Sequence, residues 1–131
     1  MNISILSKPV RNSGWEKYYD WMKSGQKTYE GRLYSKIEEW DLYVGKIMYF
    51  YDQDFPDNKI LVKIRSLPIY CNFDEAFYDL GFRLIPNRTK REVINMYNEL
   101  FHYNDEKLLD GVTSKMINDH GVVAIGFIII E

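Results

Sequence analysis

The chain has 131 residues, enough for one domain with a buried core, and its 46% apolar and 27% charged residues are ordinary for a globular protein. A net charge of −2 excludes bulk electrostatic attraction to long nucleic acids, so contact with them needs a local patch or a pocket for one base. The single cysteine, Cys71, excludes an internal disulfide, and the isolated His102 and His120 lack the spacing of a zinc site. We therefore expect no cofactor and no disulfide-linked partner.

Hydropathy and aromatic content bear on whether the protein contacts a membrane and on how its core is filled. The sequence lacks an apolar run of about 18 residues, so we expect no membrane contact and a soluble, cytoplasmic protein. Aromatic residues make up 16% of the chain. Such residues fill the cores of small barrels and also act as stacking platforms for nucleobases, and composition alone favours the first role.

In the first third of the chain, the pattern predicts a strand, a helix and a second strand. Residues 3–6 form a short strand that stops before Pro9. Residues 13–16 read as a capping box that opens a helix to Lys23, and Gly25 ends this helix. One face of the helix then carries four apolar or aromatic residues for the core: Trp15, Tyr18, Tyr19 and Met22.

The later elements alternate short strands with helices. Residues 35–40 form one helical turn, and residues 46–51 and 59–69 form a hairpin, with Lys63 and Arg65 on one face of its second strand. That face is either a basic stripe or the wet side of an edge strand. Residues 72–81 and 89–101 are helical, and the apolar residues 122–130 are a central closing strand. This irregular alternation predicts a single α+β domain over residues 1–131, with a closed β-barrel.

Residues 24–32 concentrate the polar chemistry at the junction of helix and strand. Lys27 falls on the rim of a tight turn, and the strand over residues 28–33 places Thr28, Glu30 and Arg32 on one face. Tyr29 and Gly31 take the other face. The resulting cluster of carboxylate, guanidinium and ammonium suits a small planar polar ligand or a phosphate. The alternative is a solvated ion pair of purely structural value.

A second basic group lies near the start of the helix at residues 89–101. Arg88, Lys90 and Arg91 bring three cations to a helix end that is itself positive, which disfavours stability but suits a phosphate. Glu92 has two possible roles. It can close a capping box with Thr89, or it can serve as a functional carboxylate.

Residues 21–32, with the sequence WMKSGQKTYEGR, resemble the signature of the ASCH family, a branch of the PUA-like superfamily. That signature is a helix ending in a small residue and Gly, followed by Lys-Thr-x-Glu-x-Arg entering a strand. Further matches follow in order at residues 44–47, 63–73, 89–97 and 121–125, so the resemblance spans about residues 15–130. It implies a small β-barrel with helices covering its openings, a cleft lined by the motif strand, and a link to RNA or nucleosides.

One position departs from a catalytic branch of that family. The branch that hydrolyses N4-acetylcytidine is similar at Lys27, Arg32 and Glu92 but carries a threonine nucleophile where this chain has Glu30. A carboxylate can activate water, but it cannot repeat the covalent chemistry of a hydroxyl.

Three functions follow as hypotheses. The first is an RNA- or nucleoside-binding domain, with a predicted substrate-binding set of Thr28, Tyr29, Arg32, Arg88, Lys90 and Arg91. The second is an amidohydrolase acting on an N4-acetylcytidine-like nucleoside, or a ribonuclease, in which Lys27 is the acid or electrophile and Glu30 or Glu92 activates water. The third is an interaction domain that keeps the barrel without the chemistry. The first is the prediction carried forward, with an RNA, nucleoside or nucleotide ligand.

Overall fold

The computed structural model describes residues 4–86 and 121–131. Six strands and three α-helices lie in these ranges, together with a short 3-10 helix at Gly81–Arg83. The strands are β1 (Ser7–Val10), β2 (Tyr29–Leu33), β3 (Ile47–Asp52), β4 (Lys59–Ser66), β5 (Ile69–Tyr70) and β6 (Val122–Ile129). The helices are α1 (Tyr18–Ser24), α2 (Lys36–Glu39) and α3 (Phe73–Leu80).

The described strands form one curled sheet, a half-barrel in a mixed α+β fold. The strand order is β1-β3-β4-β6-β2, and β5 also pairs with β6. The β1–β3 pair is parallel and the other pairs are antiparallel. Within the described part of the chain, β1 and β2 therefore lie at the two ends of the sheet.

The core lies on the inner face of this half-barrel. Apolar side chains of β3 and β4 alternate inward, and the rings of Phe50 and Phe127 meet with centroids 5.3 Å apart. β6 is buried from Val122 to Phe127, and strands pair with it on both edges, which confirms its prediction as a central strand. Helix α1 packs Tyr18, Tyr19 and Met22 against this core, as predicted.

Two predicted boundaries near the start of the chain are wrong. β1 is Ser7–Val10, not residues 3–6, and Pro9 lies inside it. An edge strand tolerates a proline because its missing N–H faces away from the ladder. Helix α1 begins at Tyr18, because residues 13–16 form a separate bridged turn in which the Glu16 carboxylate binds Arg11 at 3.0 Å and caps nothing.

Other predicted ends are confirmed. Gly25 takes a left-handed conformation and ends α1, with its N–H donating to Met22 O. The Asn72 side chain accepts from Glu75 N–H at 2.9 Å and caps α3, and the β3–β4 hairpin is present.

Lys63 and Arg65 do lie on an exposed face of β4. Their strand, however, is internal to the sheet and not an edge.

The close approach of neighbouring side chains explains why residue 126 is a glycine. A Cβ on Gly126 would lie 2.4 Å from Ser66 Oγ and 2.7 Å from the Tyr29 ring. The register between β4 and β6 shifts beside it, between Ile64 and Ser66. Glycine therefore lets β2 and β4 both pack onto the middle of β6.

Among the described residues, no helix has the length and apolar character needed to cross a membrane. The same residues contain no group of three His, Cys, Asp or Glu side chains placed to hold a metal ion. The predicted helix over residues 89–101 lies outside the described ranges.

Candidate functional site

The turn between α1 and β2 is held by backbone hydrogen bonds. Lys27 N–H donates to Trp21 O at 3.0 Å, which folds the chain back over the end of α1. Thr28 N–H donates to Arg83 O at 2.9 Å, which fixes the segment after α3 beside the start of β2. The turn therefore delivers the Lys27 side chain inward.

Lys27 is buried and not on the rim of the turn, which corrects the sequence-based prediction. Its exposed fraction is 1%. The ammonium donates to the Leu84 carbonyl, lies 3.4 Å from Glu30 Oε1, and sits 5.0 Å from the centroid of the Tyr18 ring. A buried charge needs such partners because it has lost its water.

Glu30 links the two cations of the motif. Its side chain is 8% exposed, with Oε1 toward Lys27 and Oε2 2.8 Å from Arg32 Nη2. The contact between Glu30 and Arg32 confirms that these side chains share one face of β2. The buried carboxylate is thus held between an ammonium and a guanidinium.

Arg32 connects the two ends of the sheet. Its Nη2 also donates to Pro9 O at 2.8 Å, so a side chain of β2 bonds the backbone of β1. Its guanidinium lies 5.4 Å from the centroid of Trp40. Within the described part of the chain, Arg32 Nε is the one buried side-chain nitrogen or oxygen with no hydrogen-bond partner. A buried donor left in this state costs about 1–3 kcal/mol, which a ligand acceptor could relieve.

Tyr29 stands apart from this cluster. It occupies the other face of β2, where its ring lies against Gly126 and 5.5 Å from the Arg83 guanidinium carbon. Thr28 contributes backbone bonds, its carbonyl accepting from Phe127 N–H at 3.1 Å. The structure thus brings together Lys27, Glu30 and Arg32, and separates Tyr29 from them.

Four predicted site residues lie outside the described ranges: Arg88, Lys90, Arg91 and Glu92. Conversely, sequence reasoning missed Trp40, whose buried ring borders Arg32. Lys36 and Trp40 are four residues apart at a helical turn, and residues with this spacing share a helix face. That spacing could have predicted a contact between Trp40 and a cation. The carbonyl partners at Pro9 and Leu84 had no such signal.

Burial lowers the pKa of Lys27 below its usual 10.5; the nearby Glu30 carboxylate opposes this effect and the Arg32 guanidinium adds to it. Between the lowered value and 10.5 the unfolded chain binds more protons than the folded protein, so this group makes the free energy of unfolding rise with pH. We therefore expect the stability of wild type relative to Lys27→Met to increase as pH rises toward 10.5, in urea titrations across that range.

The control for this experiment is Lys23→Met, which removes an exposed lysine from the last turn of α1. Its stability difference from wild type should change little over the same pH range. A Lys27→Met difference that is equally flat would mean that Lys27 has the same pKa in the folded and unfolded chains.

Among known proteins, this chain is similar in fold to two solved structures. No family model matches the chain, and no curated protein matches it. The crystal structure of hypothetical protein PH0355 is similar at 22% identity, with a TM-score of 0.67 over 95% of this chain and 100% of that one. The solution NMR structure of protein PF0455 from Pyrococcus furiosus is similar at 20% identity, with a TM-score of 0.64 over 98% of this chain and 99% of that one. Both support the mixed α+β fold.

Proposed function

We propose that this protein is an RNA- or nucleoside-binding domain of the ASCH family, with a PUA-like fold, and that Glu30 and Arg32 contact the base. The observation that carries the proposal is the buried Glu30–Arg32 pair beside an Arg32 Nε that has no partner among the described residues. A nucleobase offers what this pair lacks. A ring carbonyl would accept from Arg32, and an exocyclic amine would donate to Glu30.

Lys27 has a supporting role in this proposal. Its ammonium is bonded to the Leu84 carbonyl and lies 3.4 Å from Glu30 Oε1, so its role here is to orient Glu30. Two buried rings border the polar cluster, Trp40 beside Arg32 and Tyr18 beside Lys27.

Binding can be tested with a panel of ribonucleosides, N4-acetylcytidine and short RNAs, using calorimetry on wild type and on Glu30→Gln. We expect at least one ligand to bind, and the variant to lose about tenfold or more in affinity, since a charge-assisted hydrogen bond becomes neutral. Glu16→Gln is the matched control because Glu16 also pairs with an arginine, Arg11. Absence of binding across the panel, or equal binding by Glu30→Gln, would refute the proposal.

A hydrolase is the second candidate, and the lowered pKa of Lys27 beside a carboxylate is the observation that favours it. Perturbed lysines of this kind occur in acid–base and nucleophilic catalysis. The substrates would be an N4-acetylcytidine-like nucleoside or an RNA phosphodiester, with water activated by Glu30 or Glu92. Mass spectrometry of the same incubations decides between the two: loss of an acetyl group or strand cleavage by wild type, absent with Lys27→Met, establishes an enzyme.

A further inference from the structure

Trp40 is surrounded by cations from three different elements. Its indole is 8% exposed and follows directly after α2. Lys8 Nζ of β1 lies 4.5 Å from the ring centroid, while the Arg32 guanidinium carbon of β2 and Lys36 Nζ of α2 each lie 5.4 Å from it. Any two of these three charges are therefore separated by at most twice 5.4 Å.

Four cations lie around Trp40 and Glu30: Lys8, Lys27, Arg32 and Lys36. Two carboxylates form ion pairs with them, Glu30 and Glu39. Glu38 and Asp41 are close to Trp40 in the chain, but they are exposed and form no ion pair with a described residue. Lys8 forms no ion pair with any described residue, and the Glu39 side chain that pairs with Lys36 is 56% exposed.

This cluster of cations lies directly beside the proposed base site. Arg32 belongs to both groups: its Nη2 donates to Glu30 and to Pro9 O, and its guanidinium carbon lies 5.4 Å from the Trp40 centroid. Lys8 flanks Pro9 in β1, so its ammonium approaches the same end of the sheet. Ammonium groups act as adaptable point charges for phosphate, and a neighbouring guanidinium adds directional donors.

We infer that Lys8 and Lys36, whose ammonium groups both lie near the Trp40 ring, bind the phosphate of a nucleotide whose base occupies the Glu30–Arg32 pair. The identity of this ligand rests on the proposed function. The cation cluster itself does not, because it would attract a phosphate whether or not a base binds beside it. The predicted ligand is therefore a ribonucleotide or an RNA phosphate, and not a free nucleoside.

The experiment compares each of the four ribonucleosides with its 5′-monophosphate, measuring affinity by calorimetry at fixed salt. For the nucleoside that binds most tightly, wild type should bind the 5′-monophosphate about tenfold or more tightly than the nucleoside itself. The double variant Lys8→Met/Lys36→Met should reduce that ratio to about twofold or less. Lys59→Met is the matched control, since it also removes a cation that rests on an aromatic ring, 4.6 Å from the centroid of Tyr49, and it should keep the wild-type ratio.

The outcomes separate the inference from the function on which it rests. A nucleoside that binds as tightly as its monophosphate, or a double variant with an unchanged ratio, overturns the phosphate site and leaves the base site standing. If neither form binds, the proposed function fails, and titration with inorganic phosphate then decides the inference. Phosphate binding that is lost in the double variant supports the anion site, and no phosphate binding overturns it. Circular dichroism and the urea midpoint verify that the double variant is folded.

Discussion

Glu30→Ala is expected to lower the free energy of unfolding by about 3–5 kcal/mol, because it removes the single carboxylate shared by two largely buried cations. Lys27 is 1% exposed and the Arg32 side chain 16% exposed, so water cannot replace the lost oxygens fully. Lys27 keeps its bond to the Leu84 carbonyl and Arg32 its bond to Pro9, yet neither of these acceptors carries a charge. Urea denaturation at neutral pH measures the loss.

Two further variants test this explanation. Glu39→Ala removes an exposed carboxylate from an ion pair of similar length, 2.9 Å to Lys36, and should change stability by less than about 1 kcal/mol. The double variant Lys27→Met/Glu30→Ala should be more stable than Glu30→Ala alone, by about 0.5–3 kcal/mol, because the orphaned ammonium is gone. A double variant that is no more stable than the single one would show that the loss comes from packing and not from an uncompensated charge.

Local sequence patterns predicted the parts of this fold that are set by neighbouring residues. Gly25 ends α1, Asn72 caps α3 and the β3–β4 hairpin forms, since each depends on a few consecutive residues. Strand alternation likewise placed Glu30 and Arg32 on one face. The start of α1 was mispredicted for a related reason: the Glu16 carboxylate fits a local capping pattern but pairs with Arg11.

The features that define the candidate site depend on contacts between distant residues. Lys27 meets a carbonyl 57 positions away and Arg32 meets one 23 positions away, and no spacing rule connects such groups. Backbone carbonyls leave no signature in a sequence because every residue has one. Spacing alone therefore predicts Lys27 at the surface, although it is 1% exposed and bonded to Leu84 in the segment after α3. The convergence of Lys8, Arg32 and Lys36 on Trp40 was hidden for the same reason.

These long-range bonds give the motif strand a structural role in addition to any role in binding. β1 and β2 are the two ends of the described sheet, and the bond from Arg32 Nη2 to Pro9 O joins them. β1 is short, and of the described strands it pairs only with β3. Because an edge strand has a ladder on one side alone, it opens more readily than the middle of a sheet. Arg32 thus supplies β1 with a second attachment.

Arg32→Lys is accordingly expected to loosen β1 while keeping the charge. Arg32 bonds both Glu30 and Pro9 through Nη2, and a lysine side chain ends one bond short of that position. The ammonium therefore cannot reach both acceptors, and one of them loses its donor at a cost of about 1–3 kcal/mol. Amide hydrogen exchange locates the effect. Tyr49 N–H and Gln53 N–H donate to carbonyls at Leu6 and Val10, beside and within β1, and should exchange about tenfold faster or more.

The internal control is Ala124 N–H of β6, a strand that does not pair with β1, which donates to Pro68 O. If Arg32 secures β1, exchange at Ala124 should change much less than at Tyr49 and Gln53, because β1 opens without global unfolding. Equal acceleration at all three amides would mean that Arg32 stabilises the domain as a whole and does not act as a link between its edges. Unchanged exchange at Tyr49 and Gln53 would show that the bond to Pro9 contributes nothing to holding β1, and would leave Arg32 a binding role alone.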